Sequence, residues 1–310
     1  MENKNTFKKT NLNVLTVNTL TLVLSICFLT IGYFIQSKDF FKGTFINEIF
    51  IILIPALLIS KTGKLKEVLR INKLSFKNCI YVIIIVILVY PIILLANGIF
   101  LNIISRFVEL KNFSMDILLK NENILQYMIF LCIVPAICEE IFFRGALINS
   151  YEVYGTKFAI FMSSLVFALF HFDIQNFIAP LLLGIIFANL LELTGSLYAA
   201  ILAHFVNNLL GIVTAKYLND HIFTYLKDTT FAQDIGSLQL YIILVLILIS
   251  IISLFVLRII FVKMNRDRKR RMNRQKIKKR SRNIENIDFF NFVPIIALII
   301  LYFIYSAIVF

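Results

Sequence analysis

Apolar residues in this chain do not alternate with polar ones; they run. Nine segments are long enough, or nearly so, to cross a hydrocarbon core of roughly 30 Å. They are 13–35, 45–60, 79–101, 124–148, 157–172, 174–192, 196–216, 238–262 and 291–310. The second, fifth and sixth are short, which fits little tilt or a place inside the bundle. Connections are short and no block of soluble domain size interrupts them. The pattern predicts a single all-α transmembrane domain over 1–310, a polytopic helical bundle of about nine helices. The first run exceeds the roughly 7–15 residues of a signal-peptide core and has no small-residue cleavage site, so it is expected to stay as a helix. Residues 102–123 break the pattern, with Arg106, Glu109, Lys111, Asp116 and Lys120 among apolar neighbours. That mixture predicts an amphipathic helix on the membrane surface.

Composition agrees with the pattern. Of 310 residues, 59% are hydrophobic and 16% charged, where a soluble domain carries about a quarter. The charge is also clustered. Residues 61–77 hold six Lys or Arg and residues 263–282 hold twelve. With nine spans, both loops and the N-terminal Lys4, Lys8 and Lys9 fall on one side. The opposite side holds only Lys38, Lys42, Arg106, Lys111, Lys120, Lys216 and Lys227. The bias of Lys and Arg toward the cytoplasm then places the N-terminus inside a cell membrane and the C-terminus outside. The basic juxtamembrane loop at 263–290 reads as a topology anchor that attracts anionic lipid. No aromatic residue interleaves the basic stretch at 263–282, so nucleic acid is not expected as a partner. Cys27, Cys79, Cys132 and Cys138 lie in or beside apolar stretches without CxxC spacing and read as packing residues. No cofactor is implied.

A charge at the bilayer centre costs at least about 2.5–3.5 kcal/mol. Most segments avoid it, and the exceptions gather on three. In the fourth, Glu140 and Arg144 are four apart and can pair on one face. Glu139 points about 100° away from Glu140. Pro135 is expected to weaken the helix ladder before them. The fifth segment ends on His171, four residues after Phe167. The seventh carries His204 and Asn208 at the same spacing. If the fourth and fifth helices turn near Gly155, Glu139 and His171 lie at equal depth, about 24 Å from that turn by helix rise. Another turn near Gly195 puts His204 about mid-membrane. Such a cluster suits hydrolysis. A carboxylate activates water, an imidazole passes the proton, and a second imidazole with an amide stabilises the oxyanion. Two residues are set aside: His221 beside Asp220 as a loop histidine, and Glu192 as interfacial.

Three blocks now stand in order on separate apolar spans: Glu139-Glu140-x-x-x-Arg144, Phe167-x-x-x-His171 and His204-x-x-x-Asn208. Gly145, Gly184 and Thr194-Gly195-Ser196-Leu197 accompany them. This set resembles the CAAX protease and bacteriocin-processing (CPBP, or Abi) family, which includes Rce1-type prenyl-protein endopeptidases. The resemblance covers 124–212. It implies an intramembrane glutamate-dependent endopeptidase in which Glu139 with His171 activates water. By the same resemblance His204 and Asn208 form the oxyanion site, and Glu140 and Arg144 support it. The implied partner is a membrane-associated peptide or protein substrate, with a non-prenylated one favoured. Other classes stay open. Glu139, His171 and His204 could serve as zinc ligands. A non-cleaving immunity or regulatory protein could keep the same residues. Intramembrane Glu, His and Arg also mark ion paths, although the two halves show no symmetry of the transporter kind.

Overall fold

The computed structural model describes residues 11–110, 123–217, 235–274 and 285–309. Among the described residues the chain is helical throughout, without strands. The main helices are α1 (Val14–Lys38), α2 (Phe40–Ser60), α3 (Phe76–Ile104), α4 (Ile124–Tyr154), α5 (Thr156–Phe170), α6 (Ile178–Thr194), α7 (Leu197–Lys216), α8 (Ile235–Arg274) and α9 (Val293–Val309). Seven of the described helices are long and apolar enough to cross a membrane. The expected nine crossings are therefore not all matched by length. The two shorter helices, α5 and α6, have 15 and 17 residues. Both pack inside the bundle, where helix ends can meet protein rather than lipid.

Side chains set the helix boundaries. Asn13 accepts from the Thr16 amide at 2.9 Å to open α1, and Asp39 accepts from the Lys42 amide at 3.0 Å to open α2. The α4–α5 and α6–α7 turns fall at Gly155 and Gly195, with φ of 101° and 71°. These are the two glycines at which the sequence places those turns, and other residues adopt such φ values at a steric cost. Several helices contain wider π-helical turns: Asn47–Leu53 in α2, and Met128–Ile133 and Ile141–Leu147 in α4. Pro55 and Pro135 each sit just after one of them. The π turn absorbs the hydrogen bond that proline cannot make, so the expected disturbance at Pro135 takes this form.

Two apolar clusters flank the centre. One joins α1, α2, α4, α5 and α9 through residues such as Val17, Ile52, Phe142, Leu147, Phe170 and Leu298. The other joins α3, α6, α7 and α8 through Val82, Ile85, Leu190, Ala203 and Leu257. The α5–α6 contact is close because Gly184 faces Ser164. A Cβ at Gly184 would lie 2.9 Å from the Ser164 Cβ. Small residues at a crossing let membrane helices approach and gain dispersion contacts. Outward positions such as Ile87, Leu254 and Phe303 are exposed and apolar. In water they would form a very large sticky surface; in a bilayer they face acyl chains. The chain is a multi-pass membrane protein.

One end of the bundle is tied by polar contacts. Asn149 accepts from the Leu12 amide at 2.9 Å, and the Tyr151 hydroxyl donates to Asn18 at 2.6 Å. The Glu285 amide donates to the Val153 carbonyl. Arg70 bridges Glu152 at the end of α4 and Glu192 at the end of α6. Arg268 of α8 also reaches Glu192, at 3.1 Å. Arg271 donates to the Leu193 and Thr194 carbonyls, both at 2.8 Å, and so caps α6. The N-terminal segment, the 61–77 loop, both glycine turns and the basic stretch therefore share one end, as their charges lead one to expect. The basic stretch departs from expectation in form. It begins as helix, because α8 continues unbroken to Arg274. Lys and Arg are good helix formers, and neither Gly nor Pro interrupts them. Residues 111–122 of the expected amphipathic segment, His221 and residues 275–284 lie outside the described residues.

Arg70 is the centre of this end. Glu152 and Glu192 have side chains only 3% and 9% exposed, whereas the Arg268 side chain is 36% exposed. Burial works against the Arg70 charge, but the two carboxylates outweigh it and raise its pKa. Removing Arg70 takes the shared counter-charge away from two nearly buried carboxylates and leaves Arg268 on Glu192, which costs about 3–5 kcal/mol. Removing Arg268 breaks a half-solvated pair worth about 0–1 kcal/mol. We expect Arg70→Ala to lower the thermal midpoint of the detergent-purified protein far more than Arg268→Ala does. Equal losses would refute the ranking.

Candidate active site

The centre of the bundle holds the charges that apolar spans avoid. Glu140 and Arg144 lie on α4 with fully buried side chains, and Arg144 NH1 stands 3.0 Å from Glu140 Oε1. The pairing expected from their spacing forms, although Arg144 sits in the π turn Ile141–Leu147. Arg144 is also enclosed by aromatic faces. Its guanidinium carbon is 4.2 Å from the Phe167 ring centroid and 5.4 Å from that of Phe187. Cation–π attraction of this kind is worth about 2 kcal/mol when desolvated. Two rings and one carboxylate thus hold a charge that hydrocarbon alone would reject.

The same two rings hold His204. Phe187 stacks on it at 5.3 Å and 24°, and Phe167 meets it edge-on at 5.9 Å. His204 Nδ1 lies 2.9 Å from Glu140 Oε1. Carboxylate oxygens accept, so Nδ1 carries the proton of this bond. Glu140 therefore fixes the ring orientation and points Nε2 toward Glu139. The Nε2 to Glu139 Oε2 distance is 3.8 Å, an ion-pair distance rather than a hydrogen bond. Glu139 and Glu140 do point to different partners, as adjacent helical positions require.

His171 caps α5 and is exposed. Its Nδ1 is 2.8 Å from the Phe167 carbonyl. Since that carbonyl can only accept, Nδ1 carries the proton and Nε2 is left as the free acceptor of the neutral ring. His171 lies edge-on to Phe167 at 4.8 Å. Asn208 donates Nδ2 to the Leu131 carbonyl at 2.9 Å, in the π turn Met128–Ile133, and accepts from Asn207. His171, His204 and Asn208 line one cavity of about 250 Å³, together with Asn97, Asn176 and Asn207. Glu139 does not line it, but stands 3.8 Å from His204, which does. The structure thus brings Glu139, Glu140, Arg144 and His204 into one contact group, with His171 and Asn208 on the adjoining cavity wall. No hydrogen bond or ion pair joins Glu139 to His171 among the described residues.

This geometry marks out a segment, and the segment matches a known pattern. Residues 121–210 match the family described as Type II CAAX prenyl endopeptidase Rce1-like. Over this stretch the chain is similar to that family. All six residues of the Rce1-like segment named from sequence fall inside it, and its limits coincide closely with the resemblance at 124–212. No curated protein and no solved structure gives a match. No three His, Cys, Asp or Glu side chains among the described residues converge to hold a metal ion. The zinc donor set of Glu139, His171 and His204 is therefore not assembled.

Sequence reasoning missed one carboxyl. Glu48, in the π turn Asn47–Leu53 of α2, is 5% exposed and comes within hydrogen-bonding reach of Glu139. The signal was available, because Glu48 is an acidic residue within the apolar run 45–60, and such residues are functional candidates by cost alone. Phe187 was missed for a plainer reason: nothing in an apolar helix marks which phenylalanine will face an arginine.

Arg144→Met leaves Glu140 buried with its main counter-charge gone, at about 3–5 kcal/mol. Adding Glu140→Gln removes the stranded charge. We expect the double variant to unfold at a higher temperature than Arg144→Met alone. A double variant that loses the sum of the two single losses would show that the pair is not coupled.

Proposed function

We propose that the protein is an intramembrane endopeptidase that hydrolyses a peptide bond of a membrane-associated peptide or protein with water activated by glutamate and histidine. One observation carries the reading. Two carboxylates on α4 meet an oriented imidazole on α7, beside a cavity lined by a second imidazole and an amide, within a segment that is Rce1-like.

The chemistry assigns each group a task. Glu139 takes a proton from water as its oxygen attacks the carbonyl carbon. His171 offers Nε2 across the cavity as a second proton acceptor. The tetrahedral oxyanion accepts from the remaining Asn208 amide hydrogen and from Nε2–H of a doubly protonated His204. The proton then passes to the leaving amine as the C–N bond breaks. Glu140 and Arg144 act through His204, holding its ring and balancing its charge. Amides at Asn97, Asn176 and Asn207 suit the alternating donors and acceptors of an extended peptide, and this favours a peptide or membrane-protein segment as substrate. Family members of the matched kind are described as prenyl endopeptidases; the amide-lined cavity here is the reason to put the backbone first. The positive-inside bias supports a cell-membrane location with a cytoplasmic N-terminus.

The test is a comparison in cells. The gene is deleted, then restored as wild type or Glu139→Ala at matched membrane level, and membrane proteins and secreted peptides are compared by mass spectrometry. We expect one uncut precursor to accumulate with the deletion and with Glu139→Ala, and to vanish with wild type. On the purified protein, Glu139→Ala is expected to lose about 10²–10⁴-fold in rate, and Asn208→Ala about 10²–10³-fold. Activity should persist in a strong chelator. Unchanged processing by Glu139→Ala would overturn the assignment in favour of a binding or immunity role.

A further inference from the structure

Glu48 is the group with the least structural excuse. It lies on α2, outside the Rce1-like segment, buried in the bundle. Among the described residues it has no basic partner, caps no helix and forms no ion pair. The neighbouring Asn47 already ties α2 to α1, donating to the Gly32 carbonyl at 3.1 Å. What Glu48 meets is Glu139.

Two carboxyl groups in hydrogen-bonding contact need a proton between them, since carboxylates only accept. No side-chain or backbone donor among the described residues reaches Glu48 Oε2 or Glu139 Oε2. A bridging proton must therefore be carried by one of the acids themselves. Like charges this close do not both ionise, and the pair titrates as a unit. Among the described residues, the titratable groups that act on the pair are Cys138, Glu140 and Arg144 on α4, and His204 on α7. Of these, Arg144 and His204 can carry positive charge, and both contact Glu140 more closely than Glu139.

We propose that Glu48 is a positioning residue of the site: it shares one proton with Glu139, so that the base is a carboxyl pair contributed by α2 and α4 rather than a single glutamate. The step balances. The pair enters the reaction with one proton, takes the second from the attacking water, and returns one to the leaving amine as the C–N bond breaks. Glu48 also sets the direction of the Glu139 carboxylate through the shared hydrogen bond. The inference rests on the peptidase reading for its role in catalysis, but the shared proton itself does not.

The experiment uses the full-length protein in lipid nanodiscs, with two readouts. The first is the infrared carbonyl band of a protonated carboxylic acid at neutral pH, compared between wild type and Glu48→Gln. The second is the pH dependence of cleavage for wild type, Glu48→Gln and Glu48→Asp. We expect a protonated-acid band in wild type that is missing in Glu48→Gln. We expect the acid side of the rate profile of Glu48→Gln to move toward higher pH by roughly half a unit or more, because the Glu139 carboxylate has lost the protonated acid that donates to it. Glu48→Asp should retain the band and part of the wild-type profile. If Glu48→Gln fails to fold, Glu139→Gln supplies the comparison, with the band shifted as the partner changes from carboxylate to amide. Identical spectra in wild type and both Gln variants overturn the shared proton. Cleavage with an unmoved profile in Glu48→Gln overturns the role of Glu48 while leaving the peptidase reading in place. A band that depends on Glu48, in a protein that cleaves nothing, removes the peptidase reading and keeps the pair.

Discussion

Burying Glu140 is the constraint that the rest of the structure answers. A carboxylate with no exposed surface, inside a bundle that faces hydrocarbon, survives only if its charge is met at close range. Arg144 and His204 both meet it, at 3.0 and 2.9 Å. Each then brings its own requirement. The guanidinium needs the faces of Phe167 and Phe187, which fixes α5 and α6 against α4. The imidazole needs the same two rings, which fixes α7. Four helices are thereby placed by one carboxylate and the ions it holds, and the apolar clusters on either side close around them.

The two ends of the bundle do different things. At one end Arg70 and Arg271 bind carboxylates and helix-end carbonyls, so α4, α6, α8 and the 61–77 loop move as a unit. The site lies a long way from that clamp. Glu139 is 16 residues before Gly155, about 24 Å by the rise of an α-helix. The intervening stretch of α4 includes the π turn Ile141–Leu147. Wider turns of this type let a helix re-aim side chains without ending, and in this chain they occur where Glu48, Leu131 and Arg144 are presented. A rigid base with locally adjusted helices above it is a sound way to hold polar groups in a medium that offers them no solvent.

Much of this was legible in the sequence because membrane insertion makes polarity expensive. Glu139, Glu140, Arg144, His171, His204 and Asn208 stood out against apolar runs, and their four-residue spacings gave the correct faces for Arg144 and for the turn glycines at 155 and 195. What sequence could not convey was pairing across helices. Spacing alone joined Glu139 to His171, since they lie at equal depth on adjoining helices; the structure puts His204 against Glu139 instead, because Glu140 turns that ring. Glu48 stands alone on its segment with no polar partner at helical spacing, and only the packing of α2 on α4 brings it to Glu139. Helix length misled in the same way: α5 and α6 are too short for a lipid-facing span but sufficient within a protein interior.

Charge balance ties these pieces together. Arg144 contributes one positive charge and Glu140 one negative. A carboxyl pair that shares a proton contributes one more negative charge, which a second proton on the His204 ring would match. The buried group is then neutral as a whole, the state that a low-dielectric interior favours. Removing the shared proton would leave two adjacent carboxylates facing one imidazolium; adding a second proton to the pair would leave Arg144 and His204 facing Glu140 alone. The pair takes one proton from water and returns one to the leaving amine, so the site can turn over without carrying net charge into the membrane. A single ionised glutamate would balance the group equally; what Glu48 adds is the shared hydrogen bond, which fixes the direction of the Glu139 carboxylate.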